Sequence, residues 1–437
     1  MKKNAKKPQN KQPKKQVAEN KYPGVYNGRR INILLALLVV FFIPVLLYLQ
    51  TLTFKYTGFD DTLIIEEHLP FLSDMRNAPQ AFLKNAFVEE KGHFYRPLQT
   101  LSYMADIQLS GKDSTWGYHL SNVLLLGLIA CSLFLLLHRL LIPFNLSLLS
   151  TLIFCVHPLF VSNVAWIPSR GDLQLMFFTL LSFLFLLEFL SRKKYIHLLL
   201  HWLAFTFSLF CKETAVFLPV LYILFYFVFF RKKDPDIIRK KARLFLVFLL
   251  YIISLAAWYW IRSKALGETS NQDEVSGAFG QNDEVGLIPI LQNLRTIPEA
   301  LMNFFIPVNI QIIPGFSVLK TTGGIIIMAI LSVLFFRSKE RPKREKFFCL
   351  TWFVLLLIPT MLYKNVTIDY LHHRFLLPMT GILLFVLFVL PMKQVIKNSK
   401  KITWVLIALI TALSAFSFIK ARPFADPMTY FTSAIHQ

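Results

Sequence analysis

Eleven apolar stretches suited to crossing a membrane recur along the chain, at about 33–52, 118–138, 146–166, 173–190, 195–211, 214–230, 244–261, 323–336, 347–363, 374–391 and 402–419. A helix rises about 1.5 Å per residue and a bilayer core is about 30 Å thick, so runs near 20 residues span it. The pattern predicts an all-α, polytopic membrane protein with about 11 transmembrane helices. The stretch 287–313 is also apolar, but Pro289, Pro298 and Pro307 break it and Pro314 follows. Such backbone is tolerated at membrane depth only against protein or a wet cavity, which predicts a re-entrant or interfacial element. Between 59 and 117 the chain is too polar to cross and too apolar to float free. Pro70-Phe71-Leu72, Ala81-Phe82-Leu83 and Phe87-Val88 there predict amphipathic helices lying on the surface.

Charge sets the sidedness. Cytoplasmic loops are enriched in Lys and Arg. With the N-terminus inside, 31 of the 47 basic residues fall in the tail and in compact inner clusters, at 139, 192–194, 231–243, 337–346 and 393–401. The expected organisation is a disordered basic cytoplasmic tail over 1–30, a transmembrane domain over 31–420, and a short external tail over 421–437. The loops 59–117 and 262–322 are then external. The first apolar run is too long for a signal-peptide core and lacks a small-residue cleavage site, so it is expected to be retained.

Composition agrees: of 437 residues, 55% are hydrophobic and 16% charged. The net charge of +22 would suggest nucleic acid in a soluble protein, but membrane topology accounts for it, and no nucleic-acid partner is expected. The four cysteines stand singly in apolar stretches, without disulfide or metal spacing. No P-loop, GxGxxG turn or GxSxG elbow occurs, and no soluble nucleotide-binding domain is present. Any donor substrate should therefore arrive within the membrane.

Polar residues at unusual places all fall on the external side in this topology. Phe59-Asp60-Asp61 follows the first span. Charge in hydrocarbon costs several kcal/mol, so paired acids there either cap a helix at the loop's start or do chemistry where lipid meets water. Arg96, in His93-Phe94-Tyr95-Arg96-Pro97-Leu98, suits an anionic headgroup, because a guanidinium grips phosphate with two bonds; an interfacial Arg in an aromatic belt is the plainer reading. His157-Pro158 precedes Val164-Ala165-Trp166-Ile167-Pro168-Ser169-Arg170-Gly171-Asp172, whose Arg and Asp either pair locally or serve a site. Lys212-Glu213 lies between two apolar runs with no loop to spare, so it must be satisfied internally or line a cavity. His372-His373-Arg374 opens another span. Adjacent helical residues point about 100° apart, which disfavours a shared metal.

In order, Phe59-Asp60-Asp61, Tyr95-Arg96-Pro97-Leu98, His157-Pro158-Leu159, Val164-Ala165-Trp166-Ile167, Arg170-Gly171-Asp172 and Lys212-Glu213 resemble the GT-C glycosyltransferases. The nearest likeness is to transmembrane O-mannosyltransferases that carry tetratricopeptide repeats, and to their bacterial relatives. Pro298-Glu299-Ala300, Pro307-Val308-Asn309, and Arg374 with Pro378 and Gly381 extend the resemblance, which covers about 30–425. It implies a GT-C-like fold and inverting transfer of a sugar, a mannose-like hexose favoured, from a polyprenyl-phosphate donor to a protein or glycan acceptor, with no nucleotide. Asp60 is then the first candidate base, with Asp61 as partner or substitute. Arg96, Arg170, Lys212 or Arg374 would stabilise the leaving phosphate. His93 and His157 would hydrogen-bond phosphate or sugar; Tyr95 and Asp172 belong to the same binding motifs; Glu213 would orient Lys212 or the acceptor. No cofactor or metal is expected to be required.

The chain departs from the pattern at Ser162, where relatives often carry Glu, and at His373, where they carry an acid. The repeats are not in this sequence, which leaves three readings of acceptor docking: the module is missing, a separate acceptor-docking protein supplies it, or it is unnecessary. A bacterial inner membrane with the site facing the periplasm is favoured over an endoplasmic reticulum location, for which Asn365-Val366-Thr367 would be an external glycosylation triplet. The rival reading is a transporter or lipid-linked-saccharide flippase. Against it, the charges cluster at the external ends of the spans and no internal repeat is visible.

Overall fold

The computed structural model describes residues 30–88, 94–231, 237–266, 284–364 and 369–435. The apolar runs form helices: α1 (Arg30–Tyr48), α2 (Asp60–Ile64), α3 (Leu69–Leu72), α4 (Pro97–Ser110), α5 (Trp116–Arg139), α6 (Phe144–Cys155), α7 (Val161–Ala165), α8 (Arg170–Arg192), α9 (Tyr195–Cys211), α10 (Leu218–Phe229), α11 (Ile237–Leu266), α12 (Leu287–Gln292), α13 (Thr296–Phe305), α14 (Val318–Arg337), α15 (Lys343–Met361), α16 (Leu376–Val389), α17 (Met392–Lys397), α18 (Ser399–Ala421) and α19 (Pro427–Ile435). Among the described residues the one strand pairing is a two-residue antiparallel one, Glu284–Val285 with Tyr363–Lys364.

Among the described residues, seven helical stretches are long and apolar enough to cross a membrane, or eight if the bent pair α6–α7 is one span. This is a multi-pass membrane protein. Each of the eleven expected segments contains helix, but the count of eleven crossings is not established. α9 and α10 are apolar yet short, and α15 opens on Lys343, Arg344, Glu345 and Lys346. The proline-broken stretch yields α12 and α13, of 6 and 10 residues. Neither is long enough to cross alone, since 10 helical residues reach only about 15 Å.

Burial separates an inner set of helices from an outer one. α16 is almost wholly buried and α5 and α8 mostly so, whereas α1, α11, α14 and α18 are largely exposed. The outer helices turn Leu34, Leu35, Phe245, Ile252, Ile325, Ile326, Trp404 and Val405 outward. An apolar side chain left outside the protein core is at no disadvantage in hydrocarbon. The 59–117 segment builds a satellite core of its own, in which Ile64, Ile65, Leu72, Tyr103, Met104, Ile107, Tyr118 and Ile167 pack together. The last residues, expected as a tail, include the packed helix α19, whose Tyr430 is buried.

Candidate active site

The turn before α2 divides the work of the acid pair. Asp61 is fully buried, and one of its oxygens accepts hydrogen bonds from the Thr57 backbone N–H and, at 2.7 Å, from the Thr57 hydroxyl. It ties the turn 57–61 shut. Asp60 is different: nothing among the described residues hydrogen-bonds its carboxylate. Burial pushes its pKa up to about 6, with Arg96 and Arg374 pulling against that shift. Burial also lifts Asp61 to about 7, opposed by the Thr57 hydrogen bonds and aided by Asp60 and Glu66.

Arg96 and Arg374 line a cavity of about 420 Å³, together with Asp172, Lys212, Glu213 and Arg262. Its other walls are apolar, among them Leu175, Phe217, Leu356, Leu377 and Pro378. The charged wall is assembled from helix ends. α9 stops at Cys211 because Lys212 is extended (φ −163°, ψ 142°). Gly171 lets the head of α8 sit close, since a Cβ there would meet Gln99 Oε1 at 2.8 Å. Lys212 Nζ then donates to both Asp172 oxygens, at 2.7 and 2.6 Å. Burial draws the Lys212 ammonium down to about 8, against the pull of Asp172. Glu213 accepts from the Tyr95 N–H at 2.7 Å and from Arg96 Nε at 3.4 Å, and the Arg96 guanidinium covers the Phe94 ring at 4.5 Å.

A second, smaller cavity of about 40 Å³ lies beside Phe59, Ser162, Trp166, His373 and Tyr430. Asp172 belongs to the first cavity and His373 to the second, and His373 Nε2 lies 3.9 Å from Asp172 Oδ2. Asp60 lines neither cavity, but its neighbour Phe59 lines the small one; the Asp60 charge interacts with Arg96 and Arg374 of the large one, and it adds to the upward push that burial gives the Tyr430 phenol. Ser162 Oγ and Trp166 Nε1, both at the small cavity, are buried without a hydrogen-bond partner among the described residues. Buried polar groups are rarely left so, which marks this wall as a place for a polar guest.

Several expected ligands have other duties. Arg170 is fully buried and turned inward. It pairs with Asp106, donates to Asn122 Oδ1 at 2.8 Å and to the Tyr118 carbonyl at 2.6 Å, and lies over the Tyr103 ring. It does not line the cavity. His157 bridges helices: Nε2 meets the Phe304 carbonyl at 2.9 Å and Nδ1 accepts from the Leu159 N–H. Both ring nitrogens are occupied, so it offers nothing to phosphate or sugar. Tyr95 is buried, with its hydroxyl on the Phe82 carbonyl at 3.0 Å. His93 and Asn365-Val366-Thr367 lie outside the described residues. Arg170 and Asp172 do not pair with each other; each has a partner far along the chain. Sequence reasoning missed Asp106, Arg262 and Tyr430. Only Arg262 carried a signal, as a cation ending a 30-residue apolar helix. Among the described residues no three His, Cys, Asp or Glu side chains group as metal ligands.

With this geometry in view, comparison with known proteins gives a consistent answer. The chain resembles the TMTC protein O-mannosyl-transferases. It is 33% identical over 187 residues to Protein O-mannosyl-transferase TMTC2 of Homo sapiens, covering 39% of this chain and 22% of that protein. It is 37% identical over 103 residues to Protein O-mannosyl-transferase TMTC4 of Mus musculus, covering 21% of this chain and 14% of the relative. With Drosophila melanogaster Tmtc1 it shares 33% over 123 residues, 28% of this chain and 14% of the relative. The matched stretches thus span under a quarter of these relatives' length. No family model and no solved structure matches the chain.

Proposed function

We propose that this protein moves a sugar, a mannose-like hexose, from a polyprenyl-phosphate carrier to an acceptor hydroxyl. The observation that carries the reading is Asp60. It is a desolvated carboxylate without a hydrogen bond among the described residues, its charge interacting with Arg96 and Arg374 of the larger cavity and its neighbour Phe59 lining the small one. The donor's phosphate goes to Lys212, Arg96 and Arg374, and its isoprenoid chain follows the apolar wall. The acceptor hydroxyl enters from the side of Ser162 and Trp166. A carboxylate with a pKa near working pH is a competent base. Asp60 takes the hydroxyl proton and the acceptor oxygen bonds to the anomeric carbon. The carbon–oxygen bond to phosphate breaks on the opposite face, inverting that centre. Its electron pair leaves on polyprenyl phosphate, where fixed cations stabilise the developing charge.

The names of the relatives favour a protein acceptor. Clustering of Lys and Arg favours a cytoplasmic N-terminus and a site on the external face. No metal is required in this scheme, so activity should survive a chelator; loss that magnesium or manganese restores would refute it.

The decisive test is single-turnover release of polyprenyl phosphate from a panel of polyprenyl-phosphate sugars. Wild type should release it, and Asp60→Asn should slow release by about 10²–10⁴-fold, the usual worth of a general base. Loss in Asp61→Asn alone would move the base by one residue. If no donor is bound or turned over, and both variants complement a deletion strain like wild type, transport takes the lead.

A further inference from the structure

The turn that carries Asp60 is held from the far end of the chain. The Lys55 N–H donates to the Ala425 carbonyl at 2.8 Å. Gly58 adopts φ +71°, and a Cβ there would stand 3.3 Å from Pro427 Cβ and 3.6 Å from Phe431 Cε2. Phe59 lies between two rings, stacked on Trp166 at 6.2 Å and on Tyr430 at 5.9 Å. α19 is itself firmly started: Asp426 Oδ1 accepts from the Thr429 N–H at 2.9 Å, and the Thr429 hydroxyl reaches back to the Asp426 N–H at 3.3 Å. This reciprocal arrangement satisfies donors that a helix start leaves open. Tyr430 is buried, packs on Phe424 and Phe59, and lines the small cavity.

We propose that α19 is a working part of the site: it clasps the turn 55–59, and Tyr430, as a positioning residue, fixes Asp60 in place and keeps water from it. This rests on the reading of Asp60 as the base. The Asp61–Thr57 hydrogen bonds close the turn locally, while its outer backbone is irregular and is held by packing. Phe59 has φ −107° and ψ −122°, outside helix and strand, and Gly58 is left-handed. A base displaced by about 1 Å loses on the order of 10²-fold in rate, so a ring that sets its position matters without touching substrate. Tyr430 acts through its face: the stack on Phe59 needs the ring, and no hydrogen bond of the hydroxyl enters the argument.

The charged and titratable groups around Asp60 are Asp61 on its own helix, Arg96 at the head of α4, Arg374 before α16, and Tyr430 on α19. Removing the Tyr430 ring changes none of the other charges and admits water, so the Asp60 pKa should fall toward the ordinary carboxylate range.

The experiment compares full-length wild type with Tyr430→Ala and Tyr430→Phe in nanodiscs. Hydrogen exchange over 55–64 is read first, then transfer kinetics against pH. For Tyr430→Ala, exchange in 55–64 should quicken and kcat should fall tenfold or more, about 1.4 kcal/mol of barrier at tenfold. The donor KM should stay within about twofold, and the acid limb of the rate should move to lower pH. Tyr430→Phe should restore the exchange, kcat and the acid limb. Should Tyr430→Ala not fold, Tyr430→Leu removes the ring while retaining bulk. Unchanged exchange and an unmoved acid limb would overturn the proposal, as would failure of Tyr430→Phe to rescue. If wild type turns over no donor, the transferase reading fails, while the exchange data still decide whether α19 clasps the turn.

Discussion

At the head of α8, Arg170 runs into the protein while Asp172, two residues on, reaches a cavity wall. The inner cluster is closed. Arg170 is fully buried, pairs with Asp106, and spends its remaining donors on Asn122, Ser102 and the Tyr118 carbonyl. The outer cluster is open. Lys212 is held by Asp172 and Arg96 by Glu213, and the wall they form also carries Arg374 and Arg262 beside an apolar chamber. A buried ion pair packed on all sides fixes geometry, whereas cations that line a cavity can also meet a guest anion. The two clusters lie close in sequence and differ in whether their charged groups face the packed interior or a cavity.

That contrast can be broken from either side. The largest effect on stability is expected from Arg170→Met, which strands Asp106 in the interior. Removing one partner of a buried pair costs about 3–5 kcal/mol, read as a lower unfolding temperature in detergent. Arg170→Met with Asp106→Leu should recover much of the loss. An equally unstable double variant would mean the cluster's value lies in its hydrogen bonds to Asn122 and Tyr118.

Lys212→Gln should do the reverse. Turnover should fall by about 10²–10³-fold, the usual worth of one fixed charge on a developing anion, with a much smaller change in unfolding temperature because Asp172 faces a cavity. Strong unfolding with unchanged turnover per folded molecule would place Lys212 with Arg170 as a structural residue.

The smallest effect is on the pH dependence of stability. Asp60 and Asp61 have folded pKa values of about 6 and 7, above the ordinary value near 4 of an unfolded chain. Between about pH 4 and 7 the folded state therefore binds more protons, so stability is greatest below 4 and declines as pH rises through 7. Denaturation midpoints across this window should fall with pH in wild type and less in Asp60→Asn/Asp61→Asn. An identical slope in both would show that other groups govern it.

Much of this was readable before any coordinates. The apolar runs announced the helices, and Lys212-Glu213, charged with no loop to spare, announced either a cavity or an internal partner; both hold. What stayed hidden depends on distance along the chain. Asp106 lies 64 residues from Arg170, and nothing local says the guanidinium turns to it. The resemblance ranks Asp60 ahead of Asp61 without a local reason; the turn at left-handed Gly58 gives one, since Thr57 bonds Asp61 and not Asp60. Tyr430 in a terminal segment looks like any exposed aromatic until α19 folds back on Phe59.

The charged wall draws on residues 96, 172, 212, 213, 262 and 374, while Tyr430 of α19 lines the small cavity and packs on the turn before Asp60. Membrane proteins are made N-terminus first, so Asp60 is in place long before Arg374 and Tyr430 exist. Until the last helices pack, the acid faces water with an ordinary carboxylate pKa and without its full ring of cations. On the proposed reading, a half-made chain therefore lacks the assembled site, and biogenesis itself would protect the donor pool from waste.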